Sequence, residues 1–229
     1  MKEDVLFEYE NFNSIEGKVK RAIQNFLPIE EFELISVKSK EVIFQKGSSP
    51  EGLYLISSGK IKISTNGCDN REHITRIAVQ AESFGYESLL NKSKHIVTAV
   101  AITDAKVAIV PKKIFYYLLE SNLEFSKTFA EILSLDGAFK DLKFHDILYK
   151  PIRGRLADAL LLLERKFILD GNGKIVISRS DLASYVGSVR ETVSRLISEF
   201  KEDKMIETED DFLKIINRDK LISVSNLYR

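Results

Sequence analysis

The stretch SRSDLASYVGSVRETVSRLISEF, residues 178–200, decides the fold of the C-terminal part of the chain. Its periodicity predicts two short helices, near residues 180–186 and 189–201, separated by a turn. A helix-turn-helix needs a small residue where the helices cross, a turn residue that tolerates unusual dihedral angles, and apolar residues that lock the second helix. The sequence supplies all of them at the expected spacing: Ala183, Gly187, Val193 and Leu196, with Leu182 and Val186 completing the core. We therefore predict a helix-turn-helix.

The second helix of this motif carries polar side chains suited to reading DNA. Arg190, Glu191, Ser194 and Arg195 fall on one helical face, which would enter the major groove with the helix N-terminus first. Arginine can bond guanine O6 and N7 bidentately, and glutamate can accept from cytosine N4. We predict that these four residues read bases.

Glu191 also has a purely structural interpretation. Ser188 and Glu191 have the S-x-x-E spacing of a capping box, which predicts that the helix starts where the turn ends. Glu191 could instead pair with Arg195 as a surface i,i+4 salt bridge. Both alternatives stay open on the sequence alone, although a hairpin predicted after the helix favours a winged DNA-binding module.

The first half of the chain has a different sequence pattern from the second, with mostly β-rich runs instead of helical periodicity. A short helix is predicted over residues 14–27, ended by Pro28. Short β-rich runs with turn signals between some of them follow, which predicts an antiparallel barrel or sandwich. These runs are residues 42–45, 53–57, 61–64, 73–79, 96–102 and 106–110.

Helical periodicity resumes after Pro111, with a short helix at 115–119 and a long one at 125–148. The long helix either packs on its own β-domain or pairs with a second chain. Pro151 breaks it and marks a domain boundary. Beyond it the sequence predicts a helix over 152–167, a turn at 170–173, a short strand at 174–177, and, after the motif, a hairpin formed by 205–208 and 212–216.

Composition excludes several classes of protein. The formal net charge of zero excludes binding to nucleic acid by bulk charge alone. The single cysteine, Cys68, excludes a disulfide framework, and no segment approaches the roughly 18 apolar residues of a membrane span. We therefore expect a cytoplasmic protein with no membrane partner. Because His73, His95 and His145 form no sequence cluster and no catalytic-triad, phosphate-loop or metal-ligand signature is present, we predict no metal, no cofactor and no enzymatic reaction.

The run Arg190-Glu191-Thr192-Val193-Ser194-Arg195 resembles the recognition helix of the CRP/FNR superfamily, which includes the cyclic-AMP receptor and the fumarate-nitrate regulators. The resemblance covers nearly the whole chain. SRSDLA at 178–183 is similar to the family's first motif helix, and LYLISSGKI at 53–61, with Gly47, is similar to its β-roll core. FG at 84–85 and ESLL at 87–90 are similar to its effector loop. IRGRLA at 152–157 is similar to the start of its DNA-binding domain.

The resemblance implies an α+β fold with three parts. These are an N-terminal antiparallel β-roll of the cyclic-nucleotide-binding jelly-roll type over residues 1–120, a long dimerisation helix over 121–150, and a C-terminal winged helix-turn-helix over 151–229. It also implies a homodimer that binds a palindromic operator in double-stranded DNA, with RNA polymerase as a further partner. In this comparison Arg179, Ser180 and Thr192 match phosphate-contacting positions.

The effector loop departs from the cyclic-AMP pattern of that family, which has Gly-Glu followed later by Arg-Ser. Here Tyr86 follows Gly85, Glu87 is displaced by one position, and Val97-Thr98 stands where Arg-Ser is expected. A cyclic phosphate needs a charged or amide-rich cradle, and Val97 supplies no charge. We therefore predict an effector site at these five residues whose ligand is unidentified and is not cyclic AMP.

Two alternatives to an operator-binding regulator remain. In one, the chain is a cyclic-nucleotide-binding sensor whose DNA binding is secondary, although Lys140-Asp141 stands where the family has the hydroxyl pair that faces adenine. In the other, the chain is an enzyme, which no sequence signature supports. Binding to a palindromic duplex separates the first alternative from the regulator, and any turnover would support the second.

Overall fold

The computed structural model describes residues 21, 23, 32–67, 69–167, 174–209 and 212–227. The chain divides into two compact units. One contains the described residues up to Thr65 together with Thr75–Lys140, and the other contains Asn66–Ile74 together with the described residues from Asp141 onward. Of the predicted N-terminal helix only positions 21 and 23 are described, and both are helical. Cys68 and the predicted turn at 170–173 lie outside the described residues.

Two antiparallel four-stranded sheets form the framework of the first unit, with strand orders β1-β8-β3-β6 and β2-β7-β4-β5. The β-roll that the sequence predicts is confirmed. Two strands, β1 and β6, were not expected from the sequence. The strands are β1 (Glu33–Val37), β2 (Val42–Phe44), β3 (Gly52–Ser58), β4 (Ile61–Asn66), β5 (Glu72–Ala78), β6 (Ser83–Phe84), β7 (Thr98–Ala101) and β8 (Ala105–Pro111).

Strand β3 explains how the sheets are held together. Its run Leu53-Tyr54-Leu55-Ile56 is buried throughout, which is typical of a strand covered on both faces. Tyr54 and Ile56 belong to the apolar cluster shared by strands of both sheets, whereas Leu53 and Leu55 pack with helices on the outer side. The unit therefore has two apolar layers, one between the sheets and one beneath the helices.

The helices of the outer layer are α1 (Tyr86–Leu90), α2 (Lys112–Ser121) and the long α3 (Leu123–Tyr149). Phe125, Phe129 and Ile132 at the start of α3 are buried in the same cluster as Leu53 and Leu55. The N-terminal part of α3 therefore packs on its own β-domain, which is the first of the two options that the sequence left open. No helix of the described residues combines the length and apolar character needed to cross a bilayer.

The second unit contains the winged helix-turn-helix that the sequence predicts. Strands β9 and β10 pair as an antiparallel hairpin, with Phe212 opposite Glu209. The predicted strand at 174–177 is wrong, because Ile175 alone pairs with another segment. Ile175 and Leu213 exchange both backbone hydrogen bonds, which makes an isolated antiparallel bridge and not a strand. The elements are α4 (Ile152–Phe167), α5 (Arg179–Val186), α6 (Arg190–Glu202), β9 (Ile206–Glu209), β10 (Phe212–Ile215) and α7 (Arg218–Asn226), of which α7 was not expected.

Candidate nucleic-acid interface and effector loop

The turn between α5 and α6 has the geometry that the motif requires. Gly187 ends α5 with φ of 69° in the left-handed region, where a side chain would be strained and would lie 3.1 Å from Arg155 Nη1. The backbone amides of Gly187 and Ser188 both donate to the Ala183 carbonyl oxygen. Arg155 Nη1 donates to the Val186 carbonyl at 2.7 Å and fixes the end of α5 from α4.

The predicted capping box at Ser188 and Glu191 is wrong. Helix α6 begins at Arg190 with Val189 as its N-cap, and no side chain caps it. The Ser188 amide is already committed to closing α5, so the reciprocal bond from Glu191 has no donor to reach. The side-chain cap is found one helix earlier, where Ser178 Oγ accepts from the Asp181 amide at 2.9 Å and donates to its carboxylate at 2.8 Å.

An apolar core holds the two motif helices together. The predicted core residues are all buried: Leu182, Ala183, Val186, Val193 and Leu196. Small Ala183 lies where the sequence places the crossing of the two helices. The orientation of α6 is therefore set by packing, and its polar side chains do not need to contribute to it.

The predicted base-reading residues lie on the outside of this packed pair. Arg190, Glu191 and Arg195 are exposed, and Ser194 is half-buried. Of the predicted phosphate-contacting residues, Ser180 is exposed, whereas Arg179 and Thr192 are half-buried. Burial lowers the pKa of the Arg179 guanidinium, which nevertheless stays charged near neutral pH.

Arg195 is paired with a residue that the sequence analysis did not single out. Its Nη1 donates to Glu199 Oε1 at 2.8 Å, so its i,i+4 partner is Glu199. The other oxygen of Glu199 accepts from Arg153 Nη1 at 2.6 Å, and Arg153 Nη2 donates to Asp203 at 2.9 Å. The i,i+4 spacing could have suggested the first pair, but Arg153 lies on α4 and nothing local in the sequence points to it.

The effector loop begins with a glycine in the left-handed region and a buried tyrosine. Gly85 has φ of 84°, and a Cβ there would lie 2.8 Å from the Tyr54 ring. Tyr86 is fully buried in the layer beneath the helices and makes an edge contact with Phe129, with ring centroids 5.7 Å apart. Its hydroxyl accepts a hydrogen bond from Arg76 Nη1 at 3.1 Å.

Arg76 also makes a buried ion pair beside this tyrosine. Its Nη2 lies 2.8 Å from Glu82 Oε2, and the two side chains are only 12% and 1% exposed. The pair keeps a guanidinium inside the unit with its charge compensated by the chain itself. This pair was not predicted from the sequence, because neither residue belongs to the effector motif of the family that the chain resembles.

The five predicted effector residues do not share one environment. Glu87 is half-buried and lies 3.6 Å from Lys140 Nζ on α3, and Lys140 also pairs with Asp136 at 2.6 Å. Val97 packs against the cluster between the sheets, whereas Tyr86 belongs to the cluster beneath the helices. Thr98 Oγ1 accepts from the Lys46 amide at 3.1 Å.

The histidines are placed separately. His95 is buried, stacks on Phe44 with centroids 3.7 Å apart, and bonds Ser88 Oγ through Nδ1 at 3.0 Å. His73 Nδ1 lies 3.1 Å from the Ser184 carbonyl oxygen, and His145 is exposed. Burial lowers the pKa of both His95 and His73. The described residues contain no group of three or more His, Cys, Asp or Glu side chains placed to hold a metal ion.

Comparison with known proteins agrees with this architecture. Residues 34–122 match the cyclic nucleotide-binding domain family, and residues 154–224 match the Crp-like helix-turn-helix domain family. A global nitrogen regulator from Nostoc is 31% identical over 173 residues, which cover 72% of this chain and 77% of the relative. A CRP-like cAMP-activated global transcriptional regulator from Mycobacterium tuberculosis is 24% identical over 183 residues, which cover 78% of this chain and 82% of the relative.

A solved structure gives the same result for the fold. FixK2 from Bradyrhizobium japonicum superposes with a TM-score of 0.78 at 20% identity, covering 86% of this chain and 99% of that chain. A cyclic-nucleotide-binding-like β-domain followed by a winged helix-turn-helix defines a DNA-binding transcriptional regulator. The chain belongs to the CRP/FNR superfamily of transcriptional regulators.

Proposed function

We propose that the protein is a homodimer that binds a palindromic operator in double-stranded DNA through α6 and carries out no chemical reaction. The observation that supports this most directly is the exposed polar face of α6 at Arg190, Glu191 and Arg195, on a helix whose opposite face is locked in the core. In this proposal residues 1–120 form the domain that senses the effector, residues 121–150 form the dimerisation helix, and residues 151–229 form the DNA-binding domain. RNA polymerase is the second proposed partner, and the site of action is the cytoplasm, where operator DNA is found.

Base reading by α6 is favoured over a structural role for its polar residues. Among the described residues Glu191 bonds neither the Ser188 amide nor Arg195: the amide donates to the Ala183 carbonyl oxygen, and the Arg195 guanidinium pairs with Glu199. Within the part of the chain that the structure describes, the Glu191 carboxylate makes no hydrogen bond or ion pair. An exposed carboxylate that faces a polyanion lowers affinity unless it accepts a hydrogen bond from a base, and cytosine N4 is the donor that fits.

We expect Arg195→Ala and Glu191→Gln to relax specificity at one base pair each. Loss of a bidentate guanine contact reduces discrimination by about 1–3 kcal/mol. Arg179→Ala, by contrast, removes a phosphate contact, so it weakens binding to all sequences alike. It also reduces the salt slope, which is the slope of log affinity against log salt concentration, by about one unit. The proposed half-site contains TGA, in which Arg195 and Glu191 read a G·C pair. The measurement is affinity for a library of half-sites that vary around TGA, with two half-sites about 34 Å apart.

The matched control for this experiment is Lys201→Ala, an exposed residue in the last turn of α6. It should leave the pattern of preferred half-sites unchanged. If Glu191→Gln and Arg195→Ala reduce affinity equally for every half-site variant, then these residues only position the helix and the base-reading proposal is wrong.

Homodimerisation is proposed through the outer face of α3. The apolar residues at the start of α3, Phe125, Phe129 and Ile132, are buried within their own unit and cannot contribute to a dimer interface. Farther along, Leu133, Phe144 and Leu148 are 40%, 63% and 56% exposed. Their spacing of eleven and four residues places them on one side of the helix, the pattern of a two-helix seam.

We propose that the effector is not cyclic AMP. The guanidinium that bonds Tyr86, that of Arg76, is neutralised by Glu82, and the side chain that follows Gly85 fills the core instead of opening a polar cradle. The match of residues 34–122 to the cyclic nucleotide-binding domain family favours the opposite view, in which the chain is primarily a nucleotide sensor. An uncharged or apolar effector, or none, fits the buried Tyr86 better.

Titration calorimetry with cyclic AMP decides between these views. We expect weak or undetectable binding, because a phosphate would have to break the Arg76–Glu82 pair and leave a carboxylate buried without its partner. Tyr86→Glu, which restores the family's Gly-Glu dipeptide, serves as the comparison variant. Submicromolar affinity of the wild-type protein would show that the nucleotide-sensor view is right.

A further inference from the structure

Helix α6 contains a carboxylate that is shared by two arginines. Glu199 Oε1 accepts from Arg195 Nη1 at 2.8 Å, and Glu199 Oε2 accepts from Arg153 Nη1 at 2.6 Å. Arg153 belongs to α4, so this carboxylate ties the exposed arginine of α6 to a different helix of the same unit. The two arginines differ in exposure, since the Arg195 side chain is 69% exposed and that of Arg153 is 28% exposed.

Arg153 is itself fixed on three sides. Its second terminal nitrogen donates to Asp203 Oδ2 at 2.9 Å, and its guanidinium carbon lies 4.8 Å from the centroid of the Phe200 ring. Phe200 is fully buried, so it provides a rigid platform. The planar arginine fork therefore holds Glu199 Oε2 in place, which leaves Oε1 oriented toward Arg195.

Holding Arg195 in this way has two consequences for DNA binding. An arginine carries five N–H donors, so one bond to Glu199 leaves enough donors for a bidentate contact with guanine. The Glu199 carboxylate also offsets much of the local positive charge, and positive charge is what drives binding to phosphates of any sequence. A guanidinium that is oriented and partly neutralised loses more affinity for phosphates than for guanine edges.

We propose that Glu199 is a positioning residue that sets the sequence specificity of Arg195, with Arg153 as its anchor. This inference rests on the proposed base reading by α6. Glu199 itself contacts no base in this proposal, and it acts by limiting the orientations of the Arg195 guanidinium and its attraction to phosphates.

The test compares the full-length wild-type protein with Glu199→Gln and Asp203→Asn. Each variant removes one negative charge from the same end of α6 and one acceptor of Arg153, but only Glu199 contacts Arg195. The probes are a duplex library of palindromes that varies around TGA half-sites and a scrambled duplex of the same length. Affinities are measured at several salt concentrations.

For Glu199→Gln we expect discrimination at the base pair read by Arg195 to decrease by about 3-fold or more. The upper limit of this decrease is the roughly 5- to 150-fold discrimination that a complete bidentate contact provides. Affinity for the scrambled duplex should increase several-fold at low salt, with a salt slope steeper by up to about one unit. Asp203→Asn should increase nonspecific affinity but leave the pattern of preferred bases unchanged. Arg153→Leu should reduce discrimination at the same base pair, because it releases Glu199.

Each outcome has a definite meaning. If Glu199→Gln and Asp203→Asn shift all affinities equally and leave the base preferences intact, Glu199 contributes only charge and the inference is wrong. If the wild-type protein itself binds every duplex alike, the proposed base reading fails first, and the positioning role fails with it.

Discussion

Phe144→Asp is expected to convert the protein into a monomer and to lower its affinity for a palindromic operator by about 10²–10⁴-fold. Phe144 is 63% exposed on α3, so its replacement costs little within a single chain. In a dimer, the aspartate would face its own copy across the helix seam, where an unpaired charge is costly to bury. Operator affinity falls because a second DNA-binding domain is no longer tethered beside the first, so the two half-sites are not bound together.

Sedimentation velocity and anisotropy with a palindromic duplex check both parts of this expectation. The control is Leu34→Asp, which also replaces an exposed apolar residue by aspartate but lies on β1. It should leave both the oligomeric state and the operator affinity unchanged. A Phe144→Asp protein that sediments as a dimer would exclude α3 as the interface.

Gly137 offers an independent check on the same face. It lies inside α3, four residues from Leu133 and seven from Phe144, and a Cβ built on it meets nothing within 4 Å. A glycine in a helix interior costs about 1 kcal/mol relative to alanine, so within one chain a larger residue should stabilise the helix. If a second α3 approaches here, Gly137→Leu gives a more stable chain that dimerises more weakly.

Helices α4, α5 and α6 of the second unit could be predicted from the sequence because their signals are local, whereas α7 was not expected. The period of apolar residues gave α4 with the observed ends, and the glycine at 187 located the turn. The polar face of α6 followed from helix geometry alone. These features depend on residues within a few positions of one another.

The features that were missed depend on distant partners or on competition between neighbouring elements. Strand β1 exists because Glu33–Val37 pairs with β8, about seventy residues later, and its own burial pattern scarcely alternates. The Ser188 cap failed because the amide it needed had already been used to close α5. In the site, Arg153 bonds Glu199, which is 46 positions later in the sequence, and no local sequence pattern predicts such a contact.

Lys143→Met is expected to make the folded protein more stable at pH 7, although it removes contacts of a buried amine. Lys143 Nζ donates to the Ile74 carbonyl oxygen at 2.9 Å and lies 3.8 Å from the centroid of the Tyr185 ring on α5. Burial, with a smaller contribution from the charge of Lys166, lowers the pKa of Lys143 from 10.5 to about 7. Folding therefore opposes protonation of this amine throughout the range between those values.

The sign of the pH dependence follows from proton uptake. Between pH 7 and 10.5 the unfolded chain carries more of the proton on Lys143 than the folded chain does, so the free energy of unfolding rises with pH in this window. The shift corresponds to roughly 4–5 kcal/mol at neutral pH, which exceeds the roughly 1–2 kcal/mol from the lost hydrogen bond and ring contact. His73 acts in the same direction at lower pH, because burial and then Lys143 lower its pKa.

Urea unfolding between pH 6 and 9.5 tests this expectation, with Lys127→Met as the matched control on an exposed part of the same helix. The wild-type and control proteins should gain stability as the pH rises above 7, whereas Lys143→Met should be nearly flat and converge with the wild type toward high pH. Ile74 and Tyr185, which Lys143 contacts, belong to the same unit as Lys143. A Lys143→Met protein that is less stable than the wild type at pH 7 would mean that this amine is held there as a compensated cation, and that its contacts contribute more than its desolvation costs.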